Sequence, residues 1–202
     1  MEKKLRKFES ITGKVEQIFP THIYTGEISQ ETHDATLARL ADVEWGQVPL
    51  TNKSHGMNVS KKFNKPTFGA DVISEFELDE LHEELGHHIT AFCDGMGVGM
   101  DISGRSSWIT QYHKGDYAVQ HHHGASMISM AYYLSSNGMD GDFYFCEHSP
   151  ARFVPFTADL GNLISIPPKD RKLILFPGWM EHGVNQNETD HVRRCLSANF
   201  YR

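Results

Sequence analysis

The chain has 202 residues and a formal net charge of −7 at pH 7, enough length for one domain with a substantial core. Apart from the short KKLRK run at residues 3–7 it carries no lysine- and arginine-rich block, which argues against dedicated nucleic-acid binding but leaves room for a small anion held by one or two buried arginines. Cys93, Cys146 and Cys195 stand too far apart for a metal motif or a disulfide framework, and no apolar leader or membrane-length run is present. These features predict a soluble, cytoplasmic protein with no membrane partner.

Val15 to Tyr24 alternates in polarity around Pro20, which predicts an edge strand. Ser29 reads as the N-cap of a helix through about Ala41, with Leu37 and Leu40 as its apolar side. Residues 46–68, rich in Gly, Asn, Lys and Pro, read as one long loop. The clearest helix runs from about Glu75 to Cys93. Leu78, Leu81, Leu85, Ile89 and Phe92 recur there at helical spacing, Ser74 with Glu77 resembles a capping box, and Gly95, Gly97 and Gly99 end it. His82, His87 and His88 are expected on its exposed surface.

From Arg105 the texture changes to short β-rich runs, predicted at 105–113, 116–123, 127–135, 142–146, 162–166, 172–176 and 192–200. Turn signals separate them at Lys114-Gly115, Asn137-Gly138, Asp140-Gly141, Pro167-Pro168 and Asn185 to Asp190. Helices followed by many short strands predict a mainly β fold, a sandwich or small barrel with helices packed outside. The chain reads as a single domain, helical over about 1–104 and β over about 105–202.

The chemistry concentrates in YHKGDYAVQHHHGASMISMAYYL, residues 112–134. Side chains alternate along a strand, so His121 and His123 share a face and both reach one ion, while His122 points away. A third imidazole, His182, lies in FPGWMEHGV beside a strand end. On the last strand Val192, Arg194, Leu196, Ala198 and Phe200 form a mostly apolar face. Arg193, Cys195, Ser197 and Asn199 oppose them and suit a polar cavity. An inward guanidinium grips a carboxylate with two hydrogen bonds, or else pairs with one of the chain's own acids. Met127, Ser129, Ala131 and Tyr133 likewise oppose Ile128, Met130, Tyr132 and Leu134, and Trp108, Thr110 and Tyr112 share a face of the strand before.

Taken in order, Tyr112-x-x-Gly115, His121-x-His123, Tyr132-Tyr133-Leu134, His182 and Arg193 resemble the iron(II)- and 2-oxoglutarate-dependent oxygenases, above all the prolyl-hydroxylase-like branch. Within that branch the motifs resemble a subfamily common in marine bacteria and phages. The resemblance covers about residues 105–202. It implies a double-stranded β-helix, or jelly roll, with N-terminal helices on one sheet. It also implies iron(II), 2-oxoglutarate as cosubstrate with O2, and ascorbate as an accessory reductant.

His121 and His182 match the two histidine ligands, and Arg193 matches the residue that binds the distal carboxylate of 2-oxoglutarate. Tyr112 and Tyr133 match tyrosines that bond the same cosubstrate, with Ser197 assisting. His123 departs from the pattern, which has Asp there. The substitution keeps three ligands, His121, His123 and His182, and raises the site's charge by one. The expected activity is a dioxygenase, most simply a hydroxylase. The alternatives are a three-histidine cupin-type dioxygenase that needs no 2-oxoglutarate, and a non-catalytic jelly-roll module. A halogenase-like site with only His121 and His182 on iron would need Gly or Ala in place of His123. Substrate and oligomeric state are not legible.

Overall fold

A computed structural model describes residues 21–47, 54–55, 58–60, 71–146 and 163–202. Two antiparallel sheets face each other. The larger has seven strands, in the order β1 (Tyr24–Glu27), β10 (Lys172–Pro177), β7 (Ile128–Ser135), β12 (Arg193–Tyr201), β5 (Gly104–Tyr112), β4 (Asn58–Ser60) and β2 (Trp45–Gln47). The smaller has five: β3 (Ser54–His55), β6 (Tyr117–His121), β11 (His182–Val184), β8 (Phe143–Cys146) and β9 (Leu163–Ile166). Strands β5 to β12 divide four and four between the sheets, with chain neighbours mostly on opposite sheets, which is the double-stranded β-helix the sequence predicts.

Strand alternation divides the core into two layers. On β7, Ile128, Met130, Tyr132 and Leu134 pack outward under the helices, while Ala131 and Tyr133 face the smaller sheet. On β10, Leu173 and Leu175 join the helix side and Ile174 and Phe176 the inner side, and on β12 Leu196, Ala198 and Phe200 oppose Cys195 in the same way. Among the described residues three helices cover the outer face: α1 (Gln30–Arg39), α2 (Val72–Glu75) and α3 (Asp79–Met96). The stripe Leu81, Leu85 and Phe92 of α3 lies buried against the sheet, and burying each such side chain contributes roughly 1.5–3 kcal/mol. Among the described residues no helix is long and apolar enough to cross a membrane.

Several expectations need correction. Residues 15–20 of the expected edge strand lie outside the described residues, and β1 begins at Tyr24, where that segment was expected to end; it does occupy a sheet edge. Ser29 caps α1, accepting from the Thr32 N–H, but the buried side of the helix is Thr32, His33 and Thr36 rather than Leu37, which is exposed. The polar face wins because the Tyr132 hydroxyl needs a partner at the sheet surface, and the His33 ring supplies it at 2.7 Å. Within the expected 46–68 loop lie most of β2 and all of β3 and β4; residues 61–68 fall outside the described set.

The single helix expected from Glu75 is two. The chain turns at Glu77, whose φ of 51° is left-handed, and α3 starts after Leu78 with no side-chain cap. Ser74 therefore caps nothing. It sits inside α2 and donates to Asp71, which also receives Arg105 of β5 at 2.7 Å and the Ser107 hydroxyl. Gly97 ends α3 in the left-handed conformation, as expected of one of the three glycines. His82 and His87 are exposed, whereas half-buried His88 bonds the Tyr24 hydroxyl at 2.8 Å.

Candidate active site

The smaller sheet brings the histidines together. His121 ends β6 and His182 starts β11; the two are register partners, with ring centroids 4.5 Å apart. His123 lies 5.2 Å from His121 and 5.0 Å from His182, and one ring nitrogen from each of the three falls within 4.8 Å of the others. The expected convergence is present, but its cause differs from simple alternation. Strand β6 stops at His121, so His123 sits in the following loop, where its N–H donates to the Gly178 carbonyl at 2.9 Å. Gly124, with φ 59°, turns the chain immediately after.

Backbone carbonyls set the tautomers of two rings. Nδ1 of His121 lies 2.8 Å from the Val119 carbonyl, and Nδ1 of His182 lies 2.8 Å from that of Met180. A carbonyl only accepts, so both Nδ1 atoms carry a proton and Nε2 is the atom of each ring suited to ligation. Burial, reinforced by neighbouring His121, lowers the His182 pKa to about 3, so this imidazole is neutral at physiological pH. Three imidazoles converging on one point suit a divalent transition metal. Trp108 tilts against His123 with ring centroids 5.7 Å apart.

Between the sheets lies a narrow cavity lined by Thr110, Tyr112, Ala131, Tyr133, Phe143, Val184, Arg193, Cys195 and Ser197. All four residues expected to contact a cosubstrate, Tyr112, Tyr133, Arg193 and Ser197, are on its wall. Its free volume of ≈ 40 Å³ is a few times the minimum for one water, which admits a slender chain of atoms. Arg193 is 1% exposed and its guanidinium lies 4.2 Å over the Tyr112 ring, a cation–π contact. Its Nη1 donates to the carbonyls of Asp140 (3.1 Å) and Gly141 (2.5 Å), while its buried Nε has no partner. Among the described residues no carboxylate pairs with it, so the alternative of an internal salt bridge is not realised.

Burial drives the Tyr112 phenol up to about 12, against the opposing pull of Arg193, raises Tyr133 further, and lifts the Cys195 thiol to about 11. The cavity thus presents one cation among neutral hydroxyl and thiol groups. An unpaired buried donor on a buried cation costs several kcal/mol, which an entering carboxylate would recover. Iron(II) and 2-oxoglutarate both fit what is present: imidazole nitrogen donors at one end and a buried arginine with an unpartnered Nε at the other.

Three clustered histidines and a buried arginine on a double-stranded β-helix are an arrangement that could hold a metal ion and an anion side by side. Residues 106–199 match the family model for 2OG-Fe(II) oxygenases. Over that segment, just under half of the chain, the sequence is similar to the iron(II)- and 2-oxoglutarate-dependent oxygenases.

Solved structures agree on the fold. A prolyl-4-hydroxylase from Pseudomonas putida superposes with a TM-score of 0.62 at 15% identity, covering 90% of this chain and 93% of that one. A 2OG-Fe(II) oxygenase-family oxidoreductase from Burkholderia pseudomallei gives 0.61 at 13% identity, covering 88% and 84%. The non-heme alpha-ketoglutarate-dependent epimerase SnoN of nogalamycin biosynthesis gives 0.60 at 14%, covering 90% and 78%. No curated protein sequence matches the chain.

Sequence reasoning missed β11 as a strand and missed the packing that holds His182 and Arg193. The Asp140-Gly141 pair was visible only as a turn signal. A short strand such as HGV carries too few residues for a period to register.

Proposed function

We propose that His121, His123 and His182 are the three protein ligands of the iron, and that Arg193 with Tyr112, Tyr133 and Ser197 holds the distal carboxylate of 2-oxoglutarate. The reaction is hydroxylation of an unactivated C–H bond in a substrate that enters from the histidine side. The observation that carries this reading is the partnerless Nε of buried Arg193, in a cavity that its side chain shares with Tyr112 and Tyr133. When bound, iron(II) with 2-oxoglutarate and O2 supplies the oxidising equivalent, as decarboxylation to succinate is coupled to substrate oxidation.

The chain's own residues do the rest. The Nδ1 protons of His121 and His182 are tied to backbone carbonyls, which leaves Nε2 as the ligating nitrogen of each ring, and burial keeps His182 unprotonated there before metal binds. The neutral phenols of Tyr112 and Tyr133 supply donors that a carboxylate accepts, and Arg193 supplies the charge. Phe143, Ala131 and Val184 line the cavity with apolar surface and limit water there.

His123 supplies a neutral donor where the family pattern has a carboxylate, which favours a weaker hold on iron(II). The deciding experiment is anaerobic reconstitution with iron(II) followed by 2-oxoglutarate, monitoring the visible metal-to-ligand charge-transfer band. The band is expected for the wild type and weakened for Arg193→Ala unless 2-oxoglutarate is raised. Iron binding without any band would overturn the reading in favour of a cosubstrate-free dioxygenase.

A further inference from the structure

Arg193 has two sides, and the fold has assigned one of them. Nη1 lies on the Cδ side of the guanidinium and already donates to the Asp140 and Gly141 carbonyls. The plane of the group is set by the Tyr112 ring beneath it. What remains is the opposite edge, Nε and Nη2, of which Nε is buried without a partner. That edge is the side-on fork that meets a carboxylate with two parallel hydrogen bonds.

The two carbonyls belong to a turn, residues 136–141, that joins β7 to β8 and is held by one buried acid. Asp140 is 0% exposed, and its carboxylate accepts from the Ser136 hydroxyl at 2.7 Å and the Asn137 N–H at 3.0 Å. Nε2 of His191, itself 3.0 Å from the Ser135 hydroxyl, stands 3.7 Å from the same carboxylate. Ser136 Oγ in turn accepts from the Gly138 N–H, so three consecutive elements of the turn depend on this side chain. Gly141 has φ +100°, and a Cβ there would overlap the Asn185 carbonyl and lie 3.1 Å from Nη1 of Arg193. Only glycine lets the chain pass between Asn185 and the guanidinium.

We propose that Asp140 and Gly141 are positioning residues for the cosubstrate. By locking the turn, they fix the two carbonyls on Nη1 and so present the Nε–Nη2 edge of Arg193 to the distal carboxylate, which is gripped side-on. The inference rests on Arg193 being the cosubstrate anchor. Among the described residues no hydrogen bond links Asp140 or Gly141 to His121, His123 or His182, so metal affinity serves as the control.

The test is calorimetric titration of 2-oxoglutarate into the nickel(II)-loaded protein, with nickel(II) affinity and melting temperature as controls. Asp140→Asn keeps the shape but puts an NH2 where Asp140 accepts a hydrogen bond. It is expected to raise the Kd for 2-oxoglutarate about tenfold or more with nickel(II) affinity unchanged, and in turnover to raise KM while kcat holds. Gly141→Ala is expected to act in the same direction.

Should Asp140→Asn fail to fold, Ser136→Ala removes one donor to Asp140 and is expected to raise the Kd a few-fold. Wild-type affinity in a folded Asp140→Asn or Ser136→Ala protein, with Arg193→Ala binding lost, overturns the inference alone. Wild-type affinity in Arg193→Ala overturns the anchor itself and the inference with it.

Discussion

The imidazole of His182 lies flat against the ring of Phe143, centroids 5.2 Å apart and planes 10° from parallel. Phe176 closes on the same imidazole edge-on at 4.7 Å, and Nδ1 is tied to the Met180 carbonyl. A ring wedged between two aromatics and anchored at one nitrogen has no rotational freedom left. The lone pair on its other nitrogen therefore points one way without further ordering when metal arrives.

Phe143→Ala should remove this wall. A buried phenylalanine truncated to alanine costs roughly 3–5 kcal/mol of stability, measurable by urea denaturation of the metal-free protein. Phe143→Leu should keep most of that stability yet bind metal more weakly, because the ring that orients His182 is gone. Equal metal affinity in Phe143→Leu and wild type would contradict the orienting role.

His123→Ala should weaken iron(II) binding by about tenfold or more, since losing even a partner that only orients a ligand costs that much, and His123→Asp should strengthen it by restoring a negative charge. Equilibrium competition with a chromogenic chelator reads both. Unchanged affinity in His123→Ala would mean that only two histidines hold the ion.

Gly178→Ala tests how His123 is held. A Cβ at Gly178 would collide with Ser126, in the loop that carries His123, and the Gly178 carbonyl is the acceptor for the His123 N–H. The variant should bind iron(II) about as weakly as His123→Ala, and combining the two substitutions should add little, since both remove one contact.

Tyr112 gives Arg193 both a ring face and a nearby hydroxyl. Tyr112→Phe keeps the face and should reduce 2-oxoglutarate affinity by no more than about tenfold, one hydrogen bond's worth. Tyr112→Ala loses the face as well, and should both weaken binding further and destabilise the fold by roughly 3 kcal/mol or more. Calorimetry and thermal unfolding separate the two effects.

Asp71 predicts an acid-labile link between α2 and β5. Burial pushes its carboxyl up, but the bonds from Arg105, Ser107 and Ser74 outweigh it and hold the pKa below 3.8. A carboxyl depressed in the folded state contributes stability above its unfolded pKa and loses it as pH falls through the folded one. Stability should therefore decline below about pH 4, and Asp71→Asn should be less stable at pH 7 by about 1–3 kcal/mol yet show a shallower acid limb. Urea midpoints measured between pH 7 and pH 3 decide it.

Local periodicity made much of this molecule legible in advance. Alternation on β7 and β12 assigned Tyr133, Arg193 and Ser197 to the cavity and Met130, Tyr132 and Leu196 to the helix side, because a pleated strand offers its side chains only two directions. The leucine spacing of α3 was legible for the same reason. Where a partner distant in the chain competes with local preference, the reading went astray. Ser74 and Glu77 look like a cap until Arg105 draws Asp71, and Ser74 with it, toward β5. Leu37 looks like an apolar face until the Tyr132 hydroxyl claims His33.

The sequence by itself determined which residues the proposed chemistry calls on: three histidines, one inward arginine and two tyrosines, in an order that resembles one family of oxygenases. Tertiary structure alone decided how they are aimed. His123 reaches the cluster through a loop held by Gly178, His182 is oriented between Phe143 and Phe176, and Arg193 has one side occupied by the turn at Asp140. Side-chain identity and period are local properties of a chain, whereas direction is set by contacts between segments far apart along it, and those contacts exist only once the two sheets have closed on each other.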